Sequence, residues 1–319
     1  MSTKSNRGRV TSTEVALVSG VSRTTVSYVL NGTPGNRISE QTRLRVLEVA
    51  ESLGHIPNAA ARRLRAGKSW AVVALIPNSP RGYVVDTLLQ QLDRRLSEHG
   101  YTLIARRYDP TSRALDDLRE TFDPDMIVAL AGVRVPEDQQ GQAFVDTFDL
   151  IDHQAGGSMA AEYLLSRGHR RFGYLYPHEY SHIAAVADLR WSGFVTTLGE
   201  AGVPEPQRIE VDPDLPDFSK ILAVLRDPDR PTVVMCHNDM IAAMLIEAMS
   251  FQNMTVPRDV AVMGHDDVPG ASLGISTIAV DLTAYAEAIL SKVLAALGGS
   301  TEPAVDGGGF LRLVPRTSA

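Results

Sequence analysis

The apolar positions of the chain change period at about residue 70. Before it they form short helical stripes bounded by polar caps. Residues 9–18 predict a first helix, capped by Thr11 or Ser12 and apolar at Val15, Ala16 and Val18. Ser19-Gly20-Val21-Ser22 interrupts it: Gly20 allows a left-handed turn, and Ser22 can cap a second helix, Arg23 to Leu30, whose inward positions are Val26, Val29 and Leu30. A third helix is predicted with Ser39 as N-cap and an apolar stripe through Leu44, Leu47, Val49, Ala50 and Leu53. Helix, glycine turn, helix and a third helix make an all-α helix-turn-helix head.

From Trp70 onward, runs of consecutive apolar residues alternate with amphipathic stretches. Strands are predicted at 72–76, 102–107, 126–130, 171–176, 208–211, 233–236 and 260–264, and helices at 86–99, 111–122, 155–167, 189–201, 219–226 and 240–249. This alternation implies parallel sheets in doubly wound α/β layers. One sheet would be large for so long a stretch, so two lobes are expected. Ligands of such folds sit beyond the carboxyl ends of the strands, here enclosed between the lobes.

The composition, 44% hydrophobic and 22% charged over 319 residues, excludes global disorder and a collagen-like chain and suggests two or three domains. The single cysteine, Cys236, excludes an intramolecular disulfide or a multi-Cys zinc site; its apolar surroundings predict a buried thiol. No run of 18 apolar residues exists and the first residues lead into no apolar segment, so the expectation is a soluble, cytoplasmic protein with no membrane partner. Charge sharpens the division at residue 70. The net charge is -7, yet residues 1–68 carry 11 Lys and Arg against 4 Asp and Glu, a net of +7, leaving 20 against 34, a net of -14, for residues 69–319. A basic head attracts a phosphate backbone that the acidic body would repel.

Val15-Ala16, Gly20-Val21-Ser22, Thr25-Val26-Ser27, Leu30-Asn31-Gly32, Ser39, Thr42-Arg43 and the run from Gly54 to Leu64 stand in order over more than fifty residues. In this pattern the head resembles the lactose-repressor (LacI/GalR) family of bacterial transcription regulators. It implies that the second helix lies in a DNA major groove. Arg23, Thr24 and Tyr28, on its solvent face, would meet base edges; Thr11, Ser22, Thr25, Ser27 and Asn31 are short polar groups suited to phosphates. The segment 58–69 would be the hinge, helical only when two copies meet on DNA, with Arg62 and Arg63 at the backbone or groove floor, Leu64 wedged between base pairs, and Asn58 and Ala61 as further DNA-binding positions. The head would then be residues 1–57 and the core residues 70–319.

The resemblance continues through the core, in Arg167–Leu175, Arg190-Trp191-Ser192-Gly193-Phe194, Cys236–Ala242, Pro257–Asp267 and Ser276-Thr277-Ile278. It implies the fold of periplasmic sugar-binding proteins, a homodimer, a pseudo-palindromic double-stranded operator, and a small polar effector, a sugar or nucleoside-like molecule, held at Arg190, Asn238 and Asp266. Ser79, Tyr83 and Asp146 are further candidates on the first lobe. Two stretches depart from the family: residues 131–156, where the usual helix and strand give way to a short polar segment, and the loop Pro77–Tyr83, which lacks the usual aromatic pattern. Either departure implies an unusual effector or a partly unused cleft.

Other motifs carry less. His178-Glu179-Tyr180-Ser181-His182 matches the H-E-x-x-H zinc pattern but follows a predicted strand and Pro177, with no helical flank and no third ligand, so a loop at the cleft mouth is expected. Gly67-Lys68-Ser69 lacks the first glycine of a phosphate loop, and no G-x-S-x-G or G-x-G-x-x-G occurs. No cofactor and no catalytic residues are expected. The leading expectation is a repressor controlled by an effector; the alternative is a cytoplasmic solute-binding module whose head does not regulate.

Overall fold

The structure is a computed structural model and describes residues 10–30, 38–54, 68–78, 82–109, 114–141, 143–177, 183–212, 216–298 and 309–319. The chain divides into two compact units, residues 1–68 and 69–319.

In the first unit, α1 (Ser12–Ser19), α2 (Arg23–Leu30) and α3 (Glu40–Ser52) surround Val15, Ala16, Val26, Val29, Val46 and Ala50. Thr11 starts α1 through a capping box: Thr11 Oγ1 accepts from Glu14 N (3.4 Å) while Thr11 N donates to Glu14 Oε2 (2.6 Å). Gly20, at φ 66, ends it in the left-handed conformation that the turn requires. Two stripe assignments are corrected. Val18 is exposed, and the buried position at the end of α1 is Ser19, whose hydroxyl returns to Val15 O (2.6 Å). On α3, Leu44 and Leu47 are exposed while Val46 is fully buried. At about 100° per residue, Val46, Val49, Ala50 and Leu53 share one arc of the helix, and Leu44 and Leu47 lie outside it.

The second unit contains two parallel four-stranded sheets, in two lobes. In the first lobe the order is β2-β1-β3-β4, from β1 (Ala71–Ile76), β2 (Thr102–Arg107), β3 (Met126–Ala129) and β4 (Phe144–Asp146). Central β1 is buried on both faces. Val72, Ala74 and Ile76 pack toward α4 (Tyr83–Glu98), and Val73 and Leu75 toward α5 (Ala114–Phe122), which is why the strand reads as an unbroken apolar run. The departing segment 131–156 is abbreviated but keeps both elements: a one-turn helix α6 (Glu137–Gln140) and then β4, which pairs in parallel with β3.

In the second lobe the order is β6-β5-β7-β8, from β5 (Phe172–Pro177), β6 (Gln207–Val211), β7 (Val233–Cys236) and β8 (Ala261–Met263). Here α7 (His153–Ser166) and α8 (Ala184–Glu200) cover one face, and α9 (Ser219–Val224) and α10 (Asp239–Ser250) the other. Cys236 is buried, as its run predicts, and burial pushes its thiol pKa up. Strand β9 (Thr277–Val280) pairs antiparallel with β10 (Leu311–Val314), and α11 (Leu282–Ala296) follows β9 into the first-lobe core. No helix among the described residues is long and apolar enough to cross a membrane.

Candidate nucleic-acid interface and ligand cleft

The short helix α2 has two distinct sides. Val26 and Val29 are buried, while Arg23, Thr24 and Tyr28 are exposed and Thr25 and Ser27 are half-buried. Arg23, Thr24, Ser27 and Tyr28 fall within about 140° of the helix circumference, opposite the valines. Ser22 Oγ accepts from Thr25 N (3.0 Å) and lies 2.9 Å from Thr25 Oγ1, so these two hydroxyls cap the helix as well as facing outward. The outer face thus carries one cation and several hydroxyls on a rigid support. Asn31, Asn58, Ala61, Arg62 and Leu64 lie outside the described residues.

In the larger unit a cavity of about 450 Å³ opens at the carboxyl ends of the strands, where the two sheets face each other. Pro77 follows β1, Ala131 and Gly132 follow β3, and His237 and Asn238 follow β7. In both sheets the chain runs to opposite sides from adjacent central strands at this point, which leaves a crevice. Arg190, Asn238, Asp266 and Tyr83 all line it; Ser79 lies outside the described residues. Asp146 does not line it. Its Oδ1 accepts from Phe148 N (2.8 Å), so this carboxylate is used in the turn after β4.

Arg190 projects from the second turn of α8, which starts five residues earlier than the sequence pattern indicates, and is 5% exposed. Its Nη2 donates to Asp266 Oδ1 (2.7 Å) and its Nη1 to His237 O (2.8 Å). Asp266 sits just past β8 at φ 98, held by its own N–H donating to Ile278 O (2.8 Å), and also accepts from His265 Nδ1 (3.0 Å). Burial alone would raise its pKa, but the Arg190 guanidinium, with His265 and His237, holds the carboxyl well below the usual range. Asn238 is the N-cap of α10, its Oδ1 accepting from Ile241 N (2.9 Å), which leaves its amide NH2 for the cavity side.

The sequence pattern does not single out His153, His237 or Asp239, which line the same cavity. Their signal is positional: His237 and Asp239 directly follow the apolar run of β7, and His153 opens α7. Burial, reinforced by Arg190, lowers the His153 pKa to about 3 and that of His237 well below its ordinary value. Burial, with Asp266 nearby, pushes Asp239 up to about 7. His265 lies beneath this layer, fully buried, with its pKa lowered to about 4 by burial and then Arg190. Among the described residues no His, Cys, Asp and Glu group could hold a metal ion, and the H-E-x-x-H segment lies outside them.

The comparisons with known proteins agree over both units. The family described as bacterial regulatory proteins, lacI family, matches residues 11–58, and the periplasmic binding protein-like domain matches residues 161–319. The HTH-type transcriptional repressor PurR of Escherichia coli O139:H28 is 30% identical over 281 residues, covering 81% of this chain and 81% of that protein. The chain belongs to the lacI family of bacterial regulatory proteins. PurR of Mannheimia succiniciproducens is 27% identical over 285 residues, covering 80% and 81% of the two chains. A structure of the lac repressor dimer bound to operator and the anti-inducer ONPF superposes with a TM-score of 0.77 at 22% identity, over 98% of this chain and 99% of that one, so the fold is shared. This lacI-family protein is a DNA-binding transcriptional regulator with a two-lobed core, and not an enzyme. Because the PurR likeness spans both units, the alternative of a solute-binding module with an idle head is set aside.

Proposed function

We propose that this regulator represses transcription as a homodimer, with residues 1–57 as the operator-reading head, 58–69 as a hinge and 70–319 as the effector-binding and dimerisation core. Arg23 pairs with guanine in the major groove, and Thr24 and Tyr28 contact thymine methyl groups or phosphates. Thr11, Ser22, Thr25, Ser27 and Asn31 fix the register against phosphates. In the hinge, Asn58, Ala61 and Arg62 approach the groove and Leu64 wedges between base pairs. The observation that carries this reading is the exposed polar face of α2 set opposite Val26 and Val29.

Two heads related by a twofold axis read a pseudo-palindromic operator. Arg190, Asn238 and Asp266, with Tyr83 across the cleft, hold a small effector whose binding shifts the lobes and with them the population competent for DNA. The lac repressor structure, a dimer with operator and a small-molecule anti-inducer, supports the same set of partners here.

Fluorescence anisotropy with a duplex from upstream of the protein's own gene tests it. Arg23→Ala should weaken specific binding by about 1–3 kcal/mol while nonspecific binding persists, and affinity should fall steeply with salt. Wild-type operator affinity in Arg23→Ala, or a flat salt response, would refute the head mechanism.

A further inference from the structure

The two walls of the cleft differ in chemistry. Among the described residues, the first-lobe side presents Val84, Val85, Phe148, Ile151, Val280 and Tyr285, and no charged side chain. The Tyr285 hydroxyl is turned to Thr147, at 3.4 Å, so its ring is what faces the cavity. Among the described lining residues, His153, Arg190, His237, Asn238, Asp239 and Asp266 all come from the second-lobe side, and the polar groups of the first-lobe side are the hydroxyls of Tyr83 and Tyr285.

That polar wall carries almost no net charge. Arg190 is neutralised by Asp266 at 2.7 Å, and no other cationic side chain lines the cavity among the described residues. Burial keeps His153 and His237 neutral, and Asp239 is largely held as the acid below pH 7. Few hydrogen-bonding positions remain. Asn238 Oδ1 is occupied by Ile241 N, and both Arg190 Nη atoms have partners. Arg190 Nε, His153 Nδ1, His237 Nδ1 and Asp239 Oδ1 are buried without a hydrogen-bond partner, on side chains 5%, 8%, 4% and 1% exposed. A polyhydroxylated ligand would turn hydroxyls against the apolar wall, where each unmet one costs about 1–3 kcal/mol. An anionic ligand would find the only cation among the described lining residues, Arg190, already paired with Asp266.

We infer that the cleft takes an uncharged molecule with a mostly hydrocarbon body and one hydrogen-bonding end, such as an aromatic or alicyclic amide or ketone. The body lies against Val84, Val85, Phe148 and Ile151, and the polar end meets Arg190, His153, His237 and the Asn238 amide. A cavity of about 450 Å³ accommodates one or two rings. This inference rests on the reading of the cleft as the effector site.

The test uses the full chain with benzamide, benzoate and glucose, titrated by ligand-observed NMR. Benzamide should bind about tenfold or more tightly than either of the other two. Val85→Asp, in the first turn of α4 where the helix dipole tolerates an acidic side chain, should weaken benzamide about tenfold with the melting temperature little changed. Tyr83→Asp, at a side chain 44% exposed, serves the same purpose should Val85→Asp misfold. Benzoate or glucose binding as tightly as benzamide, or benzamide indifferent to both variants, overturns the inference. Repeating the titrations with the operator duplex separates the two readings, because an effector must bind with a different affinity when DNA is bound. Preference for benzamide without a DNA-dependent shift keeps the ligand class and removes the effector role; preference for glucose or benzoate with a shift does the reverse.

Discussion

Helices α7 and α8 meet backbone to backbone, and this contact sets the position of Arg190. A Cβ added at Gly157 would stand 2.0 Å from Arg190 O and 2.9 Å from Phe194 N; one added at Gly193 would stand 2.0 Å from Gln154 O. An unstrained carbon-to-oxygen contact is about 3.3 Å or more, so Gly157→Ala forces the helices apart by roughly 1.3 Å. The struck atom is main chain, so a side-chain rotation cannot absorb the clash. Helix α8 must shift, loosening Ala187, Phe194 and Leu198 from the second-lobe core and drawing Arg190 away from its 2.7 Å contact with Asp266. Overpacking of a well-packed interior costs about 1–3 kcal/mol, and a backbone clash belongs at or above the upper end. Gly199, on the same helix, is the control: it is exposed and an added Cβ meets nothing within 4 Å, so Gly199→Ala should stabilise by about 0.5–1 kcal/mol through helix propensity. Urea unfolding followed by circular dichroism measures both, with the slope against denaturant checked for constancy. A Gly157→Ala loss below about 1 kcal/mol, or the same sign for both variants, would refute the close helix contact.

Acid should destabilise the core. His153, His237 and His265 have folded pKa values depressed below the ordinary 6.5, so the unfolded chain binds their protons first and the stability present above pH 6.5 is lost as pH falls toward about 4 and 3. Asp239, raised to about 7, acts in the opposite sense, its contribution being lost as pH rises through 7, but it is one group against three; a higher urea midpoint at pH 5 than at pH 6.5 would contradict this balance. Asp266→Ala leaves the Arg190 guanidinium buried without its carboxylate and should cost about 3–5 kcal/mol in chemical denaturation; a loss under about 1 would mean the pair is solvated. Asp125 accepts from Ser69 N (3.2 Å) and Trp70 N (2.5 Å), fastening the first residues of the core to the first lobe. Asp125→Ala should therefore reduce the effect of a cleft ligand on operator affinity while its affinity for the cleft holds, as read by anisotropy and NMR; undiminished coupling would reject that route.

Much of the core was legible because its central strands are buried on both faces. In β1 and β7 alternate residues join different helix layers and all must be apolar, so a continuous run reveals the strand. The short elements α6 and β4 offer no such run. Only Val145 of Phe144-Val145-Asp146 is buried, and the pairing with β3 that makes it a strand is non-local. Strand β9 pairs with β10 more than thirty residues away, a match that neither segment specifies alone. At the cleft, Arg190, Asn238 and Asp266 were legible through the resemblance to the lactose-repressor family, and the structure brings them to one wall. The opposite wall was not readable, since Val84, Phe148 and Tyr285 are ordinary apolar residues whose shared exposure arises only when two lobes meet.

The placement of the cleft explains how a small ligand can reach the rest of the chain. Asp266 bonds through its main chain to Ile278 of β9, and β9 leads directly into α11, whose Tyr285 and Ile289 pack in the first-lobe core. Tyr285 also meets Thr147, on another segment that passes between the lobes. The two sides of the ligand cavity are thus attached to the same connecting segments, so a molecule touching both Arg190 and Tyr285 acts on the joint itself. A ligand that favours one lobe arrangement by 1–3 kcal/mol changes the balance of states about 5- to 150-fold. That is enough for regulation without any large rearrangement within either sheet, because each lobe keeps its own buried core and only the connecting segments need to change.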